Sequence, residues 1–245
     1  MIAPPLFLAA LLALSFVAGG TAAVVGFGIG SLVTPLLVTR LDTSLAIGVV
    51  AGPHLLASAV RYWQHRRTVD RALLLRFGLP SAAGGLAGAL LQSRLQSPAL
   101  LGVLGALLVA TSVANLSSGF GGWRPAPSLA LALGGLSGLF GGVAGNQGGL
   151  RAAGLAAFDL TPRAFIATST AVAVLIDVAR APVYVANAGA ALRAHGLLIA
   201  VTAAGCLAGT LLGERLFARL PRETHRRLVA LTVGAVGVWL LTRAF

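Results

Sequence analysis

Ala83-Gly84-Gly85-Leu86-Ala87-Gly88-Ala89-Leu90-Leu91-Gln92-Ser93-Arg94-Leu95 returns further along the chain as Ala204-Gly205-Cys206-Leu207-Ala208-Gly209-Thr210-Leu211-Leu212-Gly213-Glu214-Arg215-Leu216. Nine of the thirteen positions are identical without a gap. Both copies are largely apolar, carry small residues four apart (Gly84/Gly88, Gly205/Gly209), and share an arginine near their end, Arg94 and Arg215. Small residues at that spacing let two helix backbones approach closely inside a bilayer. A segment that recurs this way marks an internal duplication.

Outward from the duplicated segment, the rest of the chain is also apolar. Of its 245 residues 57% are hydrophobic and only 10% charged, against roughly 25% charged in an average soluble domain. A water-soluble globule could not hide that much apolar surface. Runs suited to cross a membrane, which needs about 20 apolar residues, lie at 6–25, 44–63, 74–92, 98–117, 128–143, 162–186, 194–213 and 224–242. Leu6–Val25 is long for a signal core and Met1–Pro5 has no positive charge, so this run reads as part of the mature protein. Ser97-Pro98 and Thr161-Pro162 are helix-start signals, a cap residue followed by proline at the first helical position. Pro53, Pro80 and Pro182 lie inside runs, where they are expected to kink the helix and free carbonyls.

Two apolar pieces, Ser31–Val38 and Leu150–Phe158, are only half-length. Each follows a glycine-rich break: Gly26-Phe27-Gly28-Ile29-Gly30, and Gly141-Gly142-Val143-Ala144-Gly145-Asn146-Gln147-Gly148-Gly149. Aligning Gly28-Ile29-Gly30-Ser31 on Asn146-Gln147-Gly148-Gly149 also puts Ala46 on Ala164. The order break, half-helix, three helices therefore occurs twice, in a repeat over 1–120 and a second over 121–245, together forming one membrane domain.

Charge gives the orientation. The net charge of +12 comes from arginines concentrated in the breaks between runs, which is the positive-inside pattern and not the single basic face of a nucleic-acid domain. In the first repeat the basic loop, with Arg61, His65, Arg66, Arg67, Arg71 and Arg76, follows the second long run. In the second repeat the equivalent loop holds Arg193, and the next one holds Arg215, Arg219, Arg222, Arg226 and Arg227. Equivalent loops then face opposite sides, which is an inverted repeat. Three full crossings per repeat satisfy inversion if the first run and its half-helix form a re-entrant hairpin, with both termini extracytoplasmic. The fold class expected is an all-α polytopic membrane protein of two inverted repeats.

A break at membrane depth must be buried in protein or line a cavity. It also aims free N–H groups and a helix N-terminus into that cavity, which suits an anion. Gly28, Gly30, Ser31, Asn146, Gln147, Gly148 and Gly149 are the candidate anion site, and a bulky side chain at Gly30 or Gly148 is expected to block it. Ionisable residues within spans are costly and hence functional candidates. Asp177 and Arg180 share a helical face, as a structural ion pair or with Arg180 facing the anion. His54 is a proton-coupling candidate together with Asp177, or a helix-to-helix hydrogen-bonder. Arg151 faces the anion or snorkels to an interface. Arg61 reads as a topology charge.

These breaks resemble the motifs of the TauE/SafE family of sulfite and organosulfonate exporters. Gly26 to Ser31 with Pro35 is similar to its first motif and Gly141 to Gly149 to its second, over nearly the whole chain. Ser31 stands where a further glycine is common, and Asn146-Gln147 is more polar than usual. The resemblance implies efflux or uptake of a small sulfur-containing oxyanion such as sulfite, sulfoacetate or another organosulfonate, and the chain is read as a secondary transporter of the cell inner membrane, with export as the expected direction. The alternative is a channel-like pore or a membrane scaffold. The one cysteine, Cys206, excludes an internal disulfide. There is no phosphate loop, no nucleophile elbow and no metal-ligand spacing. Neither enzyme activity nor a cofactor is therefore expected. The expected partners are a small anion and the bilayer, with a homodimer left open.

Overall fold

A computed structural model describes residues 4–26, 28–95, 97–116, 126–217 and 222–244. Phe27, Arg219, Pro221 and the boundary between the halves at 120–121, with the side chains of Arg215, Arg222 and Arg226, lie outside the described residues. The described residues form ten α-helices: α1 (Pro5–Val25), α2 (Ile29–Val38), α3 (Thr43–His65), α4 (Arg71–Gln92), α5 (Ser97–Leu116), α6 (Pro127–Ala144), α7 (Gly148–Leu155), α8 (Pro162–Ala194), α9 (Gly196–Phe217) and α10 (Arg222–Ala244). Eight are long and apolar enough to cross a membrane, and α2 and α7 are the two short ones. Leu75, Leu79, Val178, Val185 and Leu231 are exposed on their outer faces, as lipid contact requires. The chain is an all-helical, multi-pass membrane protein.

Local signals set the ends. Asp42 caps α3 by accepting from the Ser44 amide at 3.1 Å, Asp70 caps α4 from Leu73 at 2.9 Å, and Thr161 caps α8 from Ala164 at 3.3 Å ahead of Pro162. Each satisfies an otherwise orphaned helix donor. Pro53, Pro80 and Pro182 lie within helices that continue through them. In α8 the non-helical residue is Ala188 (φ −133°), six residues beyond Pro182, so the helix extends past the run of 162–186.

Glycines decide which helices touch. On α4, a methyl group at Gly84 or Gly88 would collide with the α6 backbone at Gly135, Leu139 and Gly142. On α9, one at Gly205 or Gly209 would collide with α1 at Leu12, Phe16 and Gly20. The duplicated segment is thus the same contact made twice: α4 on α6 and α9 on α1. In both pairs the residue numbers rise together, so the helices run parallel. The pairs α3/α8 and α5/α10 run the other way. Gly48 meets Leu192 whereas His54 meets Asp177, and Gly105 meets Leu241 whereas Ser112 meets Gly234.

Candidate functional site

The two breaks are built alike. α1 stops because Gly26 turns left-handed (φ 90°), donating its N–H to Ala22 O at 3.0 Å. α6 stops at Gly145 (φ 70°), which donates to Gly141 O at 3.0 Å. Such a backbone strains any residue with a Cβ. After each turn the chain enters a short helix, α2 from Gly28 (φ 134°) and α7 from Gln147.

The turns meet face to face. Gly30 packs directly on the Gly145 carbonyl, leaving no room for a Cβ. Ser31 Oγ donates to Asn146 Oδ1 at 3.3 Å, tying the breaks together. Between them lies a small space of about 10 Å³, bordered by Gly28, Gly30, Ser31, His54, Asn146, Gln147, Gly148 and Arg151 together with Gly145. Eight of the residues singled out from sequence therefore converge on one point. Gly149 does not; it faces the Thr111 side chain of α5. Asp177 and Arg180 stand one layer behind the space and do not border it.

That layer is a dense hydrogen-bonded group. Asp177 Oδ2 lies 2.6 Å from His54 Nδ1, and Asp177 Oδ1 accepts from Arg180 Nε at 3.0 Å and from Gln147 Nε2 at 3.3 Å. Arg180 Nη2 is 2.8 Å from the same oxygen. Arg180 Nη1 donates to Gly141 O, and the Tyr184 hydroxyl donates to Gly142 O. The last turn of α6 is therefore held from α8. Arg151 does not snorkel; it is 2% exposed, with Nε donating to Ser169 Oγ at 2.9 Å and Nη2 to Gly26 O at 3.3 Å. It reaches from the second break to the first.

The structure corrects two readings. Arg61 is not a surface topology charge: it is 3% exposed, donating through Nη1 to Ala22 O and through Nη2 to Ser58 Oγ at 3.1 Å. The repeats also pair at a different offset. Gly26 is equivalent to Gly145 as the left-handed cap, an offset of 119 residues, one more than the alignment of Gly28 on Asn146 implies. Tyr184, Ser169 and Ser137, whose Oγ donates to Gln147 O at 2.7 Å, are support residues absent from the sequence reading. Tyr184 was detectable four residues after Arg180, on the same helical face.

Several polar atoms at the junction are buried without a protein partner: Asn146 Nδ2, Gln147 Oε1 and Arg151 Nη1. Two larger spaces flank the junction along α3. One of about 510 Å³ borders Gly48, Gly52, Tyr184 and Arg193; the other, about 460 Å³, borders Tyr62, Arg66, Arg67 and Arg71.

A family model described as sulfite exporter TauE/SafE matches residues 11–240. No curated protein and no solved structure matches the chain.

Proposed function

The chain belongs to the sulfite exporter TauE/SafE family, and on that footing we propose that it is a secondary transporter exporting a small sulfur-containing oxyanion bound between the two glycine breaks. One observation carries this reading: the broken ends of α1 and α6 meet, with unpartnered, buried polar atoms of Asn146, Gln147 and Arg151 around their junction. Unpaired polar groups at membrane depth are costly. Donors from Asn146, Arg151 and the starts of α2 and α7 suit an oxyanion. Arg180, bonded to Asp177 and Gly141, positions the second break. His54 and Asp177, 2.6 Å apart, form the proton-coupling pair.

The geometry favours a carrier over an open pore. A space of about 10 Å³ is near the least that holds one water, too small for a sulfonyl group. Binding therefore requires the breaks to separate toward one of the flanking spaces at a time, as alternating access does. Three arginines at the 460 Å³ space would gather anions on the basic side. Purified protein in liposomes should take up sulfite saturably, faster under an imposed proton gradient. A flux that rises linearly with sulfite and ignores the gradient would sink the carrier reading.

We also read the halves, 1–120 and 121–245, as inverted repeats in a cell inner membrane with the basic loops cytoplasmic. The antiparallel pairing of the equivalent helices α3/α8 and α5/α10 supports this. On a Cys206→Ala background, single cysteines placed in the 66–71 and 219–227 segments of intact cells should both resist an impermeant maleimide until the cytoplasmic side is opened. Labelling of the two from opposite sides would refute inversion.

A further inference from the structure

Two arginines act alike on the two broken helices. Arg180 donates to Gly141 O, the carbonyl that already accepts from the left-handed Gly145, and it lies three residues after Asp177. Arg61 donates to Ala22 O, the carbonyl that already accepts from the left-handed Gly26, and it lies three residues after Ser58. Ala22/Gly141, Gly26/Gly145, Ser58/Asp177 and Arg61/Arg180 are all separated by 119 residues. They are the same four positions of one repeat. The difference is that the partner of Arg180 is an acid, whereas that of Arg61 is a hydroxyl.

That difference polarises the site. A helix C-terminus carries roughly −0.5 charge. At the end of α6, the Arg180 charge is offset by Asp177, so that arginine adds little net positive charge to the second break. At the end of α1, Arg61 and Arg151 bond the carbonyls of Ala22 and Gly26, and their side-chain partners are the neutral Ser58 and Ser169. Neither bonds an acid: Asp177 acts on both from a distance while it is hydrogen-bonded to Arg180, so three buried arginines share its one negative charge. Both guanidiniums also keep a buried N–H without a partner, Arg61 Nε and Arg151 Nη1. Uncompensated charge at membrane depth implies a counter-ion during function.

We infer that Arg61, left without a bonded acid because serine stands at position 58, supplies with Arg151 the positive charge that holds the substrate at the first break, and that the site selects doubly over singly charged oxyanions. This rests on the proposed anion site and adds to it a charge-setting residue and a charge preference. Arg61 does not border the junction space, so it acts through the end of α1 rather than by contact in this form.

The test is a substitution that neutralises Arg61 without removing it. Ser58→Asp installs the acid that the second repeat has; Ser58→Asn is the neutral control. With purified protein and calorimetric titration at alkaline pH, where sulfite is a dianion, wild type should bind sulfite more tightly than singly charged methanesulfonate. Ser58→Asp should weaken sulfite binding by about tenfold to a hundredfold, the effect of one opposing charge at this depth, and narrow the preference for the dianion. Ser58→Asn adds the same bulk without the charge and should weaken sulfite binding clearly less than Ser58→Asp, without narrowing the preference for the dianion. Sulfite affinity unchanged in a folded Ser58→Asp protein overturns the inference and leaves the proposed transporter standing. Should Ser58→Asp lose its thermal transition, Arg61→Gln reads the same quantity: weakened sulfite binding supports the inference and unchanged binding overturns it. A wild type that binds neither anion overturns the transporter reading itself and this inference with it.

Discussion

Gly30→Ala, the addition of one methyl group, is expected to abolish sulfite transport. The new Cβ would fall well inside contact distance of the Gly145 carbonyl oxygen. The obstacle is backbone on a left-handed turn that is itself held by the bond from Gly145 N to Gly141 O at 3.0 Å, so no rotamer change relieves it. Overpacking of this kind costs about 1–3 kcal/mol. Here the cost falls on the contact at the centre of the proposed site, so the breaks must separate and the bond from Ser31 to Asn146 must stretch. At the upper end that is about a hundredfold in sulfite affinity. Gly52→Ala is the matched control. A methyl there meets nothing within 4 Å, and alanine is the better helix former by up to about 1 kcal/mol. It should transport normally and melt no lower than wild type. Gly30→Ala protein that reaches the membrane and transports at the wild-type rate would remove the first break from the site.

The contrast between these two glycines also marks what the sequence could tell. Composition and the duplicated segment were enough for an all-helical membrane fold, because lipid admits few alternatives. The breaks were legible because glycine-rich turns before half-length apolar pieces have little other use at membrane depth. Partners from distant segments were not legible. His54 and Asp177 are 123 residues apart in sequence, and no local pattern joins them. Arg61 was misread for a physical reason. An arginine near the end of a helix usually reaches water, and its burial depends on where the last turn of α1 lies. The offset of 119 residues would have exposed it, since it maps Arg61 on Arg180, but glycine-rich segments align nearly as well one residue away. Arg180 was placed on the correct face beside Asp177, yet its direct partner proved to be a carbonyl of α6 rather than the junction space.

Asp177 is the point where those distant segments converge, and its removal should have the largest effect on stability. Its carboxylate meets His54 from α3, Gln147 at the start of α7 and Arg180 on its own helix. Asparagine keeps one acceptor oxygen, replaces the other with a donor, and leaves the Arg180 cation, 1% exposed, without a counter-charge. Removing one member of a buried pair costs about 3–5 kcal/mol, so Asp177→Asn should lose much of its thermal stability in detergent. If the uncompensated charge is the cause, Arg180→Gln added to Asp177→Asn should restore most of the loss, because neighbouring groups are not additive. A double variant as unstable as the sum of the singles would mean that the hydrogen bonds to Gly141 and His54 matter more than the charge. Function should separate from stability in the same series. The double variant no longer pins Gly141 from Arg180, so its sulfite affinity should fall even where its melting temperature recovers. His54→Gln removes the 2.6 Å contact to Asp177, keeps a polar side chain at the border of the junction space and leaves the Arg180 pair in place. It should fold, bind sulfite, and lose the acceleration by a proton gradient. If His54→Gln liposomes still respond to the gradient as wild type does, the proton does not travel through the His54–Asp177 pair, and the coupling group must be sought elsewhere along the two flanking spaces.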